Sequence, residues 1–383
     1  MHILSALKIL REPTALFMCL LGAFPAYSAW LTILVYQQGL TFNDVLWAQG
    51  IAQFVVAAVF ILACVFAIHG SRLLTVIVPL IPVTAIIGLI TLAPSAAGYF
   101  ALFVLALASI TFMVAANYAV ALPVIQSGIN REMNLAVIMM ALPTVSALAY
   151  AGFAVLAEVH VSLVHIAMCA VLIAMSVVMF VRNRPVKLLP TPVKLKGKVP
   201  FRAVTVLLAN LIYAGPYYIL KGVLIPLYLY EKLDGNFAKV GLVLSFLCLI
   251  AMVSRKAQSK AKEEGAPTKA IVLVSLVMMV VAFTVWGFSE SVWVATAMLT
   301  LHTLAHRLYA FGILSELQKS DPVNYAEHTK LKEIYQHVVG GICFVVSALY
   351  ATSVLENYDT LLFLFAAGTV LSGIVFAIGA RQK

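Results

Sequence analysis

Acidic side chains are scarce in this chain, and they are confined to the ends of its apolar runs and the segments between them. Among 383 residues there are 15 Asp and Glu against 25 Lys and Arg. No carboxylate lies near the middle of any apolar run. Charged residues of both signs make up 10% of the chain and hydrophobic residues 63%, a balance that soluble globular domains do not have. The chain therefore reads as a polytopic, all-α membrane protein. Cysteine is also rare. Cys19, Cys64, Cys169, Cys248 and Cys343 each fall inside an apolar run, which suits small packing residues and argues against disulfides or a metal cluster. No Gly-x-x-x-x-Gly-Lys-Ser/Thr phosphate loop is present, nor a soluble stretch that would hold one, so ATP coupling is not expected. The sequence calls for no cofactor and no metal.

What is abundant is apolar sequence in membrane-length runs. Twelve spans are predicted, at about 14–36, 45–68, 73–93, 99–125, 134–156, 161–181, 204–230, 237–253, 270–288, 291–317, 335–355 and 360–380. Most connections are very short, such as 69–72 and 94–98, so consecutive helices return antiparallel. One connection differs. Residues 182–201, RNRPVKLLPTPVKLKGKVPF, are basic, Pro-rich and without apolar periodicity, the signature of a linker. The predicted organisation is a six-helix bundle over 1–181, a cytoplasmic basic linker over 182–203 and a second six-helix bundle over 204–383.

The positions of the cations support this count. With the N-terminal segment MHILSALKILREP taken as a retained start inside the cell, every Lys and Arg falls in a cytoplasmic segment except Lys221, Lys232, Lys239 and Arg307. The opposite loops carry Asp44, Glu158, Glu231, Asp234, Glu290, Glu356 and Asp359. One miscounted span would invert every later loop, so the positive-inside rule favours twelve helices with both termini in the cytoplasm. The expected location is the cytoplasmic (inner) membrane. The basic loops are topology signals, and no nucleic acid partner is expected.

The two parts of the chain also echo each other. LVYQQGLTFNDVLWAQGIAQ in the first and PLYLYEKLDGNFAKVGLVLS in the second both join an aromatic-ended helix, a polar turn with Gly and a new span. Carriers are often built from such repeats. Six plus six spans, a basic central loop and internal ends resemble the major facilitator superfamily of secondary transporters. In the loop before the third span, Gly70 and Arg72 match that family's motif and its aspartate is missing. The loop SRKAQSKAKEEGAPTK keeps only Arg255, Lys256 and Gly265. Ala141-Leu142-Pro143-Thr144 lacks the glycines of drug exporters in the fifth span. The resemblance is therefore to a divergent member, and it implies that helices 1, 4, 7 and 10 line a central cavity.

Two cations sit inside spans implied to line that cavity. Lys221 is near the middle of VTVLLANLIYAGPYYILKGVLIPLYLY, and Arg307 is near the middle of its own span in MLTLHTLAHRLYAFG. An ammonium at that depth costs at least ~2.5 kcal/mol. Helical steps from Lys221 meet Tyr217, Tyr213 and Asn210 in one direction and Tyr228 in the other, a polar aromatic stripe expected to face the cavity. Two cations with no protein carboxylate at their level point to an anionic substrate, with Arg307 offering a planar fork and Lys221 a point charge. The competing reading is structural: either cation bonds carbonyls released near Pro216 or snorkels to an interface.

Asn117, with Tyr118, on helix 4 and Tyr27 and Trp30 on helix 1 complete the candidate substrate site. Gln53 on helix 2 reads as helix-to-helix glue. His302 and His306 lie one turn apart and, with no third metal ligand, are candidates for proton coupling. His165 and His337 are placed near span ends and read as packing residues. The prolines and glycines Pro25, Pro143, Gly215, Pro216, Pro226, Gly340 and Gly341 suit bending and close helix approach. Residues 319–333, KSDPVNYAEHTKLKE, read as a solvated loop.

The function these residues suggest is secondary active transport of a small organic anion by alternating access. The anion is amphiphilic in view of the aromatic lining, for example a carboxylate siderophore. Membrane lipids, protons or a counter-anion are the other partners, and the working unit is a monomer. The alternatives are a non-transporting sensor or scaffold on a carrier fold, or a membrane-embedded lipid-modifying enzyme.

Overall fold

The computed structural model describes residues 22–66, 77–96, 98–116, 131–182, 193–263 and 267–381. Among them there are twelve helical rods and no strand. They are α1 (Ala23–Gln37), α2 (Phe42–Phe66), α3 (Leu80–Thr91), α4 (Tyr99–Ala116), α5 (Arg131–Val159), α6 (Val161–Arg182), α7, α8 (Phe237–Glu263), α9 (Thr268–Gly287), α10 (Val292–Ser320), α11 (Tyr325–Tyr350) and α12 (Val354–Arg381). The rod α7 has three parts: Phe201–Ile219, a π-helical turn over Leu220–Leu224, and Ile225–Lys232. Seven helical stretches are long and apolar enough to cross a membrane, α2, α5, α6, α7, α9, α11 and α12. Large apolar side chains such as Ile166, Val177, Val274, Val277, Leu364 and Ile374 stay exposed along them. In water that surface would be costly; against acyl chains it costs nothing. The protein is an integral membrane protein.

Local chemistry sets the helix ends. At the start of α2, Asp44 accepts from the Thr41 N–H at 2.9 Å while the Asp44 N–H donates to Thr41 Oγ1 at 3.1 Å, a reciprocal cap. The turn between α1 and α2 closes at Gly39, with φ of 108°, and that between α7 and α8 at Asp234 and Gly235, with φ of 55° and 70°. Gly235 sends its N–H back to the Tyr230 carbonyl at 2.8 Å. These left-handed positions let each helix reverse within a few residues.

Helices far apart in sequence pair closely. The main pairings of early with late rods are α5 against α8 and α2 against α11, while α7 packs on α11 and α12, and α9 on α10 and α12. Small residues permit the contact. A Cβ on Gly241 of α8 would overlap Ala154 of α5 and come 3.0 Å from the Tyr150 carbonyl. A Cβ on Gly341 of α11 would meet the Phe54 ring of α2 at 2.8 Å, and one on Gly215 of α7 would overlap Cys343 of α11.

The end of the molecule carrying Glu158, Glu231 and Asp359 (the acidic end) is closed by contacts between these rods. Tyr36 donates to the Glu231 carboxylate, and Asn43 to the Ala348 carbonyl. Glu158, at the end of α5, accepts from the Ala238 N–H at 3.0 Å. An acid on a helix N-terminus satisfies an orphan donor and complements the helix dipole.

Several predicted boundaries are corrected. The eleventh helix starts at Tyr325, ten residues before its predicted start, because nearly three polar, charged turns continue the helix beyond the apolar run. His337 is thereby mid-helix and buried, not terminal. The eighth helix runs on to Glu263 for the same reason. Residues 319–333 are not a solvated loop. Asp321, Asn324, His328 and Glu333 are buried there, and the linker docks on them: Lys196 donates its N–H to Asn324 Oδ1 at 2.7 Å and accepts from Asn324 Nδ2 at 3.0 Å. The Lys194 N–H reaches Glu327 at 3.0 Å. Period-based reading misses this because one asparagine side chain here supplies both hydrogen bonds of a strand neighbour.

Candidate functional site

The site grows out of α7. Up to Ile219 that rod is regular, so Asn210, Tyr213 and Tyr217 share a side, as their spacing predicts. At Leu220 the helix widens into the π turn that contains Lys221. A π turn holds an extra residue and rotates everything beyond it. Tyr228 therefore leaves the stripe. It is fully buried, its ring 5.1 Å from Trp286 and 5.1 Å from Tyr358, so the stripe ends at the π turn.

Tyr213 is buried, facing α10 rather than open space. Its hydroxyl lies 3.2 Å from His302 Nε2 and 2.9 Å from His306 Nδ1. One hydroxyl carries one proton, so it donates to one imidazole and accepts from the other. The Tyr217 ring stacks on His306 at a centroid distance of 3.9 Å and an angle of 11°. Tyr309 closes on Tyr213 at 4.8 Å, and Phe283 on His302 at 5.0 Å. The result is a compact aromatic wall between α7 and α10. Asn210 lies on the same rod, buried, with its Nδ2 unpartnered among the described residues.

The two cations lie in the surroundings of this wall. Lys221 is exposed and Arg307 half-buried. Both lie within electrostatic range of the same two groups, His306 on α10 and Cys248 on α8. Lys221 belongs to none of the salt bridges among the described residues. Cys248 is a neighbour that sequence reading did not find, because a cysteine in an apolar run of the eighth span carries no signal of its own.

Other predicted site residues lie elsewhere. Tyr27 and Trp30 are fully buried. Tyr27 shares a 2.7 Å hydrogen bond with His165 Nδ1, and Trp30 donates to the Tyr150 carbonyl at 3.3 Å. Both are satisfied inside the packing of α1 with α5 and α6. Gln53 is bonded to His337 across α2 and α11, matching its reading as helix glue. Asn117 and Tyr118 lie outside the described residues, as do Gly70, Arg72 and Cys19. Among the described residues no three His, Cys, Asp or Glu side chains converge to hold a metal ion.

Neither a protein-family model nor a curated protein sequence matches the chain. Solved structures do match it, and they are transporters of the major facilitator type rather than enzymes. The nucleoside transporter NupG superposes with a TM-score of 0.65 at 12% identity, covering 97% of this chain and 100% of that one. A bacterial homologue of the iron transporter ferroportin, in its inward-facing state, gives 0.64 at 16% identity over 97% and 99%. Its outward-facing state with soaked iron gives 0.59. The human organic anion transporter MFSD10 (TETRAN) gives 0.57 at 14% identity over 95% and 99%. The chain has the fold of these transporters, and its resemblance to a divergent major facilitator is upheld at that level.

Proposed function

We propose that this protein is a secondary transporter that carries a small organic anion across the cytoplasmic membrane by alternating access. The observation that carries the reading is that Lys221 of α7 and Arg307 of α10 both lie within electrostatic range of His306 and Cys248, near the stack of Tyr217 on His306. Two cations from two helices can grip a carboxylate or phosphate, and the stacked rings suit an unsaturated or amphiphilic body. The substrates of these neighbours, nucleoside, iron and organic anion, are too varied for the fold to choose among them. The choice of an anion rests on the two cations alone.

In this reading, residues 1–181 and 204–383 are two six-helix bundles joined by the 182–203 linker, and all twelve helices span the membrane. Both termini and the basic loops are cytoplasmic. The acidic end is then external, and its closure, together with the better overlay on an inward-facing relative, supports an inward-facing state. Asn210, Tyr213 and Tyr217 shape the site, and Asn117 is a further candidate contact. His302 and His306 handle the coupling proton. The unit is a monomer, and a carboxylate siderophore is one substrate of the right chemistry. Tyr27 and Trp30 are left out of the site because their polar atoms are already engaged.

The test is transport in oriented membrane vesicles with citrate, a sugar phosphate and a carboxylate siderophore, for the parent, Lys221→Ala and Arg307→Ala. One anion should accumulate, and both substitutions should abolish its movement while insertion stays normal. Undiminished transport by both variants would remove the assignment.

A further inference from the structure

We infer that the hydroxyl of Thr32 on α1 and the carbonyl of Gly222 on α7 form a latch that holds the acidic end closed and ties that closure to Lys221. The inference rests on the carrier reading above. Its physical origin is Pro226. Across the π turn the backbone bonds run five residues back, as from the Ile225 N–H to the Leu220 carbonyl, before returning to four; Pro226 has no N–H for either step, so the Gly222 carbonyl receives no bond from four residues on. In a membrane interior a released carbonyl needs another donor. Thr32 Oγ1 lies 3.3 Å from it.

The geometry makes the latch reversible. Thr32 is fully buried, and its oxygen also lies 3.1 Å from the Ser28 carbonyl one turn back on α1. The hydroxyl has a single proton and two acceptors within reach, one on its own helix and one on α7. When α1 and α7 separate, the proton falls back to Ser28, so no buried hydroxyl is stranded. From α2, Gln49 Nε2 donates to Thr32 Oγ1 at 3.3 Å and keeps the oxygen oriented. The space beside Gly222 is shared by Gln49 and Phe344, at 3.7 and 3.5 Å from where its Cβ would stand. Four helices, α1, α2, α7 and α11, thus meet at this glycine.

Gly222 follows Lys221 directly, and both lie in the π turn. A guest that draws the ammonium inward shifts the peptide next to it, and the Gly222 carbonyl with it. Tyr36 and Glu231 close the same seam one turn of α1 further out. Thr32 is the member of the seam nearest the site. It is a positioning residue that acts through backbone and need not touch substrate.

The experiment reads accessibility and needs no substrate. A variant keeping Cys248 alone, with Cys19, Cys64, Cys169 and Cys343 replaced by Ala, is labelled with a membrane-impermeant anionic thiosulfonate in right-side-out and inside-out vesicles. Thr32→Val should raise labelling from the acidic side about fivefold, the population change one neutral hydrogen bond carries, and lower it from the basic side. Thr32→Ser should label like the parent. Pro226→Ala, which returns an N–H to compete for the Gly222 carbonyl, should move labelling in the same direction as Thr32→Val and decides the matter if that variant fails to insert. Equal rates for parent and variant, or a rise from both sides as in a generally loosened bundle, would overturn the latch. Because every comparison uses the same probe, no substrate, and an unchanged Lys221 and Arg307, the latch and the anion reading fail separately.

Discussion

The Tyr217 ring lies face to face with the His306 imidazole, 3.9 Å between centroids and 11° from parallel. This stack, with the Tyr213 hydroxyl held between His302 and His306, joins α7 to α10 at the level of the two cations. It fixes where each ring stands before any guest arrives, which is what a preorganised site requires.

Removing the bridging hydroxyl should be costly. In Tyr213→Phe the ring packing survives, but a ring nitrogen on each of two mostly buried histidines loses its partner. The expected loss is about 1–3 kcal/mol, read as a lower unfolding midpoint in detergent. Tyr217→Phe should keep the stack and stay near the parent. Tyr217→Ala should forfeit about 0.5–1.5 kcal/mol beyond the area it buries.

Gly241 marks a close approach of α8 to α5. A methyl there overlaps Ala154 and crowds the Tyr150 carbonyl. Gly241→Ala should destabilise the closed acidic end by about 1–3 kcal/mol. Pairing it with Ala154→Gly should recover part of the loss, by less than the full amount because the carbonyl remains. A double-mutant cycle on thermal unfolding measures the coupling.

Glu316 is buried near the basic end of α10, where it accepts from Arg202 on α7 and from Thr268 at the start of α9. Lys319 donates to the same Thr268 hydroxyl at 3.0 Å. Glu316→Ala leaves the guanidinium facing a pocket without its carboxylate, and about 3 kcal/mol of stability should be lost. Replacing both residues, Arg202→Met with Glu316→Leu, should cost clearly less. A double variant as unstable as Glu316→Ala would show that the pair does not act as a unit.

The linker anchor has a pH dependence of known sign. Asp321 accepts from Asn324 Nδ2 at 2.9 Å and from His328 Nε2 at 2.8 Å, and these hydrogen bonds hold its carboxyl below the ordinary value of 3.8. A depressed carboxyl stabilises above its unfolded pKa, and that contribution is lost as pH falls through the lower folded value. Near neutral pH the anchor should be intact, and Lys194, Lys196 and Lys198 should resist trypsin. Asp321→Asn or Asn324→Ala should expose them, with cleavage in inside-out vesicles rising several-fold. Cleavage at the parental rate in both variants would mean that the docked segment is held by something other than this corner.

How much of this was legible in the chain follows from the range of each interaction. The apolar runs and the one-sided cations dictate helices and a membrane, since both effects are summed over tens of residues and need no partner. The same reasoning located Lys221 and Arg307, because a charge in an apolar run is conspicuous, and it found the Asn210–Tyr213–Tyr217 side, because two regular helical turns keep their phase. Tertiary structure decided the rest. The π turn at Leu220–Leu224 breaks the phase and removes Tyr228 from the stripe. The cross-helix hydrogen bonds assign Tyr27 and Trp30 to packing, pair Gln53 with His337, and turn residues 319–333 from a loop into an anchor. Each of those outcomes depends on one donor meeting one acceptor a hundred or more residues away, or on one extra residue in a turn. Neither leaves a period or a composition that the chain by itself displays.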